Sequence, residues 1–297
     1  MTDTIFMIHG MWGGPWCWEH YRRFFERAGY RCVVASLPYH GSPPTADPDP
    51  RLGSASLIDY VAALESELAQ LDTRPILMGH SMGGLLGQML AARGLCSALV
   101  LLTPAAPAGV VAVTPSVIRS FWSIQRSWGF WRKPARLGFR DAVYALLHRL
   151  PQGQQADAYE RLVAESGRVI FEIGYWPLDS ARASRVAASR VRCPVLVVGA
   201  NADRIVPVSV AWRVARKYRH VASFMAFANH AHWILVEPGW EEVAEHVENW
   251  LARHCGSGRA ASFSVDDVVG ESSDGPAGTS YSRRCLRPRG GMCLHRD

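Results

Sequence analysis

The chain has 297 residues, 48% of them hydrophobic and 20% charged, enough for one large α/β domain with an insertion or for two small domains. Its net charge of +6 is carried almost wholly by arginine, Lys133 and Lys217 being the only lysines; with no dense basic block before residue 255, a solvated arginine-rich surface is expected rather than nucleic-acid binding. The seven cysteines (17, 32, 96, 193, 255, 285 and 293) are scattered, odd in number and lack metal-ligand spacing; no signal peptide is visible and no apolar run approaches the roughly 20 residues of a membrane span, so free thiols in a reducing, cytoplasmic compartment are expected.

In chain order, Thr4–Ile8 reads as a buried strand that runs into His9-Gly10-Met11-Trp12-Gly13-Gly14. A helix is expected from about Trp16 to Ala28, closed by Gly29. Arg31–Ser36 is the second strand, leaving through Leu37-Pro-Tyr-His-Gly-Ser42 into a Pro/Asp-rich loop. Ser56–Leu71 reads as an amphipathic helix with Leu57, Tyr60, Val61, Leu64 and Leu68 on one face.

The next stretch, Pro75 to Gly84, is an apolar run followed by Gly79-His80-Ser81-Met82-Gly83 and then by Leu85, Leu86, Met89 and Leu90 at helical spacing. A strand turning sharply into a helix needs small residues on both sides of the turn, and Gly79 and Gly83 supply them. Ser81 is left at the apex, in a strained backbone and beside a helix N-terminus that favours negative charge: the G-x-S-x-G nucleophile elbow. Ala98–Leu102 is another apolar strand, and strands that are continuous apolar runs separated by helices indicate a parallel sheet covered on both faces.

The alternation stops at Thr103. From 104 to 192 no strand stands out, and helices are expected over Val117–Trp131, Arg140–Leu150 and Gln154–Ser166, forming a cap over the mouth of the sheet. Asp179 and Glu172 within it read as surface charges. The sheet pattern then resumes with Pro194–Val198, a helix over Pro207–Tyr218, a last strand over Ala222–Ala228 and a closing helix over Trp240–His254. The expected organisation is a core of residues 1–103 and 193–255, a helical cap of 104–192, and a tail of 256–297 whose Gly, Ser, Arg and Asp content predicts disorder.

A serine nucleophile needs a base, and the base needs an acid to orient it. In an open parallel sheet such groups come from loops at the carboxyl ends of strands. Asp203 follows the strand at 194–198 and His232 follows the last strand, giving the order Ser81, Asp203, His232; no Asp or Glu occurs between Thr103 and Arg140 to rival Asp203. Asp203 as a mere helix N-terminal acid and His230 as the base are the competing assignments. His9 reads as a structural histidine of the first loop and His80 as a packing and hydrogen-bonding residue.

The chain resembles the α/β-hydrolase superfamily over about residues 4 to 254. His9-Gly10 resembles its oxyanion loop, Gly79 to Gly83 its elbow, Gly199 to Pro207 its acid loop, and His232-Trp-Ile-Leu-Val-Glu-Pro238 its histidine loop. The Trp16-Cys-Trp18 segment resembles the plant methylesterase and hydroxynitrile lyase branch. The resemblance implies an α/β-hydrolase fold with Ser81 as nucleophile, His232 as general base and Asp203 as its orienting acid. It also implies an oxyanion hole from the backbone N–H groups of Met82 and Met11, with Trp12 the alternative to Met11, and it calls for no cofactor or metal.

The expected function is therefore hydrolysis of small to medium carboxylic esters with apolar acyl or aryl groups. Trp12, Trp122, Trp176 and Trp233 are candidates for the pocket wall. Thioesters, amides and C–C bonds use the same triad, and a ligand receptor that retains the triad is a non-enzymatic alternative. Lyases of the hydroxynitrile branch rely on a lysine beside the catalytic histidine, and this chain has Trp233 there. Arginines of the cap are a solvated face or a lure for anions. Partners beyond a small molecule are not indicated, and the oligomeric state is left open.

Overall fold

The computed structural model describes residues 3–255. The expected disordered tail lies outside them. In chain order the elements are β1 (Thr4–Ile8), α1 (Glu19–Arg27), β2 (Arg31–Val34), α2 (Leu57–Leu68), β3 (Ile76–His80), α3 (Met82–Ala91) and β4 (Ala98–Leu102). There follow α4 (Pro115–Gln125), β5 (Pro134–Ala135), α5 (Phe139–Ala142), α6 (Gln152–Glu160), β6 (Glu165–Ser166) and α7 (Gly167–Gly174). The remainder is β7 (Val195–Ala200), α8 (Val208–Lys217), β8 (Ala222–Phe227) and α9 (Trp240–His254).

Six strands form one parallel sheet in the order β2-β1-β3-β4-β7-β8. The strands β1, β3, β4 and β7 are buried along their whole length, which is why their sequences lack polar alternation. From β1 the chain steps outward to β2, and from β3 it steps the other way to β4. The loops leaving β1 and β3 therefore diverge, and a crevice opens between them at the carboxyl ends of the strands.

Between β4 and β7 the chain departs from the expected three helices. The first stretch is helical only to Gln125, because Gly129 turns the backbone left-handed at φ 74° before a short 3-10 turn at Phe130–Arg132. The second is the short α5 continued by one π-turn over Val143–Leu147. The third ends at Glu160, and residues 165–166 are a strand paired antiparallel with β5. The helix α7 was not foreseen. It begins at Gly167, where a Cβ would collide with the Phe130 carbonyl, so a residue that reads as a helix breaker is required by close packing.

Glu172 and Asp179 are buried, not the surface charges expected. Glu172 accepts the first N–H of α2 from Leu57 at 2.8 Å and pairs with Arg168, which also reaches Asp179. Asp179 in turn accepts the N–H groups of Ala181 and Ala183. A second buried pair lies nearby. His40, in the loop after β2, donates Nδ1–H to the Pro38 carbonyl and Nε2–H to Glu165 Oε2 at 3.2 Å. Glu165 also accepts from the Tyr60 hydroxyl and the Ser166 N–H. With donors on both ring nitrogens, His40 is an imidazolium facing a carboxylate.

Burial works to discharge both partners, but each offsets the other. Against burial, the Glu165 carboxylate and its hydrogen bond raise the His40 pKa above the ordinary range. Also against burial, the charge of His40 with the bonds from His40, Ser166 and Tyr60 lowers that of Glu165. The His40 contribution to stability is then complete below about pH 6.5 and is lost as pH rises through the raised pKa. The Glu165 contribution is complete above about pH 4.3 and is lost as pH falls through the lowered one. Removing one member leaves a buried, unpaired charge, which costs about 3–5 kcal/mol. Glu165→Gln is therefore expected to lower Tm by roughly 6–15 °C at pH 6. In His40→Gln the decline of Tm with rising pH above neutrality is expected to flatten. Calorimetric scans of the two variants and wild type from pH 5 to 9 check both.

Candidate active site

Ser81 stands between β3 and α3 at φ 53° and ψ −119°. This backbone is unfavourable for a residue with a Cβ and is held from several sides. Ser81 N–H donates to the Leu102 carbonyl, extending the β3–β4 ladder, and the Ser81 carbonyl accepts from Gly84 and Ala105. A Cβ on Gly79 would strike the Gly83 carbonyl, and one on Gly83 would strike the Ile8 carbonyl, so the turn closes only with glycine on each side. Gly10 is similarly tight, its missing Cβ facing Ser81 Cβ at 2.8 Å. Among the described residues, the non-glycine ones with positive φ are Trp12, Tyr39, Ser81, Thr103 and Arg182, and the first four follow β1, β2, β3 and β4. Backbone strain is thus concentrated at the rim where the crevice opens.

Three side chains expected to act together are brought into one chain of hydrogen bonds. Ser81 Oγ is 2.9 Å from His232 Nε2, and His232 Nδ1 is 2.8 Å from Asp203 Oδ2. Asp203 Oδ1 accepts from the N–H groups of Ile205 and Val206 at 2.8 and 2.7 Å. These two bonds fix the carboxylate in a turn ahead of α8, so Asp203 is not the N-cap of that helix, a place taken by Pro207. All three side chains are largely withdrawn from solvent.

The loop that carries His232 is held by Glu237, by Thr103 and by His80, the last in the hydrogen-bonding role expected of it. Glu237 accepts from the N–H groups of Ala231 at 2.7 Å and Trp233 at 3.1 Å, bracketing His232 from within the same loop. The His232 carbonyl accepts from His80 Nε2–H at 2.8 Å and from the Thr103 hydroxyl at 3.3 Å. Glu237 had a sequence signal, its place one residue before Pro238 in the quoted motif; Thr103 had none. His230 packs on Phe227 and lies 3.5 Å from Glu237, and it is His232 whose ring reaches Ser81.

Two other histidines are held neutral. Burial, with His232 close by, lowers the His80 pKa to about 3. Burial, with His40 close by, lowers that of His9 to about 4. His9 donates Nδ1–H to the Gly10 carbonyl and accepts the Leu37 N–H at Nε2, which shapes the loop bearing Met11 and Trp12.

Ser81 and His232 open into a cavity of about 340 Å³. Met11 and Trp12 form one wall, and Phe121, Leu146, Ile170 and Trp176 from the chain between β4 and β7 form others. Among the described residues no Asp, Glu, Lys or Arg lines it. The arginines between β4 and β7 therefore do not face this space; Arg119, for instance, lies over the Tyr144 ring. The Trp12 indole is fixed by donating Nε1–H to the Ala135 carbonyl and packs 5.7 Å from Phe121. Two expected wall residues are not part of the lining. Trp122 is 60% exposed because its neighbour Phe121 takes the inward face of α4. Trp233 is buried away from the lining, stacked on Trp16.

Over residues 5–246 the sequence matches the alpha/beta hydrolase family. The fold is similar to that of a monoacylglycerol lipase from Paleococcus ferrophilus, at 20% identity and a TM-score of 0.60, covering 85% of this chain and 96% of the lipase. It is also similar to a methylesterase, MES16, from Arabidopsis, at 13% identity and a TM-score of 0.64, covering 85% of this chain and 100% of that one. Norfluorocurarine synthase 2 from Strychnos is 32% identical over 81 residues, which is 26% of this chain and 29% of that protein, so the likeness spans under a third of its length. No helix among the described residues is long and apolar enough to cross a membrane. With the family match running from β1 into α9, the chain belongs to the alpha/beta hydrolase family.

Proposed function

We propose that the protein is a serine hydrolase that cleaves carboxylic esters of apolar acyl or aryl groups through an acyl-enzyme. The observation that carries this reading is the unbroken chain from Asp203 through His232 to Ser81, ending in an uncharged apolar cavity. In the proposed reaction Ser81 Oγ attacks the ester carbonyl carbon while His232 Nε2 takes its proton. Asp203 stabilises the imidazolium through Nδ1–H and keeps the ring oriented. The N–H of Met82, the first of α3 and so without an intrahelical acceptor, serves as one oxyanion donor, and that of Met11 as the other. Each such donor is worth about 3–4 kcal/mol of barrier. His232 then gives its proton to the leaving alcohol, and water repeats the sequence to release the acid. The 104–192 segment acts as a cap, because Phe121, Ile170 and Trp176 close the cavity over Ser81.

A cavity of about 340 Å³ lies near the lower bound for small-molecule sites, which favours esters of small to medium acids. The absence of lining charge favours neutral substrates over anionic ones. Trp233, buried and next to His232 in the chain where the lyase branch has a lysine, weighs against cyanohydrin cleavage.

Fluorophosphonate labelling and turnover of p-nitrophenyl esters from acetate to palmitate are expected in wild type. Both should vanish in Ser81→Ala, with kcat down at least ~10⁴-fold, and Asp203→Asn should lose about as much through the wrong imidazole tautomer. Labelling without turnover would replace the esterase reading with a receptor, or with cleavage of another bond. The cavity assignment has its own measurement. Ile170→Trp should cut kcat/KM for the longest accepted ester by about 10-fold or more and leave acetate nearly unchanged. A uniform loss across chain lengths would place the acyl group elsewhere.

A further inference from the structure

The amino-terminal end of the sheet, away from Ser81, holds a pair of sulfur atoms that the site does not use. Cys96 lies two residues before β4 and Cys193 two residues before β7, and their Sγ atoms are 3.5 Å apart. These strands are parallel neighbours with Leu99 opposite Val195. That register sets Cys193 one residue away from Cys96, and strands about 4.8 Å apart with a rise of about 3.3 Å per residue give a Cα separation of about 6 Å, within the range of about 4.4–6.8 Å that a disulfide requires. The backbone on either side is held by ladder bonds, Ser97 N–H to the Pro75 carbonyl and Leu99 N–H to the Pro194 carbonyl. The contact is thus fixed by the sheet and not by two mobile loops.

The two thiols differ in a way that suits exchange chemistry. Cys193 is half-buried and Cys96 is buried. The hydrogen bond between them holds the Cys193 pKa below the ordinary thiol value and raises that of Cys96. Burial pushes Cys17 and Cys32 up to about 12 and Cys255 up to about 11, so among the described cysteines Cys193 is the one inclined to ionise. The more accessible sulfur is therefore also the one held toward its thiolate, and the buried one stands in contact behind it.

We infer that Cys96 and Cys193 form a redox-modification site, closed to a disulfide by a low-molecular-weight disulfide and reopened by its thiol. The Cys193 thiolate attacks the reagent R–S–S–R, forming Cys193–S–S–R and releasing R–S⁻, which takes up a proton. Cys96 loses its proton and attacks the Cys193 sulfur, forming the Cys96–Cys193 bond and releasing the second R–S⁻. Two protein thiols are oxidised and one external disulfide is reduced to two thiols. The bond joins residues 97 apart in sequence and closes a ring that contains β4 and the whole 104–192 segment. It ties together the strand from which that segment leaves and the strand to which it returns, without touching Ser81.

The test treats the full chain with oxidised glutathione, blocks free thiols, and maps the linkages by mass spectrometry of non-reduced digests. The Cys96–Cys193 linked peptide is expected as the main product, reversed by dithiothreitol. Oxidation should raise Tm by roughly 5–10 °C, a gain absent in Cys96→Ser and Cys193→Ser. Cys96→Ser should stop at a stable Cys193–glutathione adduct, and Cys193→Ser should leave Cys96 unmodified. A lasting glutathione adduct in wild type, a bridge from Cys193 to Cys255 or to either of Cys285 and Cys293, or no reaction at Cys193 would each overturn the proposal.

Discussion

The structure turns on how closely β3 and α3 approach the end of β1. The Gly83 backbone rests against the Ile8 carbonyl, and Gly10 rests against Ser81 Cβ, at separations where a methyl group does not fit. That approach fixes three things at once: the left-handed backbone of Ser81, the start of α3 beneath it, and the course of the loop leaving β1. Because β1 and β3 are neighbours whose chains depart in opposite directions, the same contact sits at the mouth of the crevice. The strain at Ser81 is sustained by its bonds to Leu102, Gly84 and Ala105, so the sheet and helix over-determine it.

Around this point the buried polar groups are placed so that each has a defined protonation role. His9 and His80 are neutral and use their ring nitrogens on backbone partners, while His40 is charged and paired. The carbonyl of His232 is held by His80 and Thr103, its loop by Glu237, and its ring by Asp203. His232 is thereby restrained at the backbone and the side chain by residues from β3, from the loops after β4 and β7, and from its own loop. Preorganisation of this kind removes reorganisation from the reacting geometry.

What the sequence made legible follows a physical divide. The inner strands β1, β3, β4 and β7 were readable because a parallel sheet covered on both faces demands unbroken apolar runs, and the edge strands β2 and β8 because they continue the alternation with helices. The turn at Ser81 was readable because glycine at 79 and 83 answers a local steric need. The order Ser81, Asp203, His232 followed from the rule that loops at strand ends converge, with the likeness of residues 232–238 to the family's histidine loop choosing His232 over His230. The 104–192 segment was not readable in the same way. Its helices are short, its strands are two residues long, and Gly167 is glycine for a contact with Phe130 that sequence spacing does not reveal. Glu172 and Asp179 looked like solvated charges because their partners, Leu57 N–H and Arg168, become neighbours only after folding. Trp122 and Trp233 failed as wall residues because an aromatic side chain carries no sign of which face it will occupy.

The uncharged lining of the cavity bears on the end of the proposed reaction as well as its start. An ester enters neutral, whereas the acid released from Ser81 becomes a carboxylate once its proton passes to water, and among the described residues no lysine or arginine lines the cavity to hold that charge. A carboxylate in such surroundings forfeits its hydration without compensation. The walls that retain the ester would thus expel its product, and turnover would draw its direction from a change of charge inside the pocket.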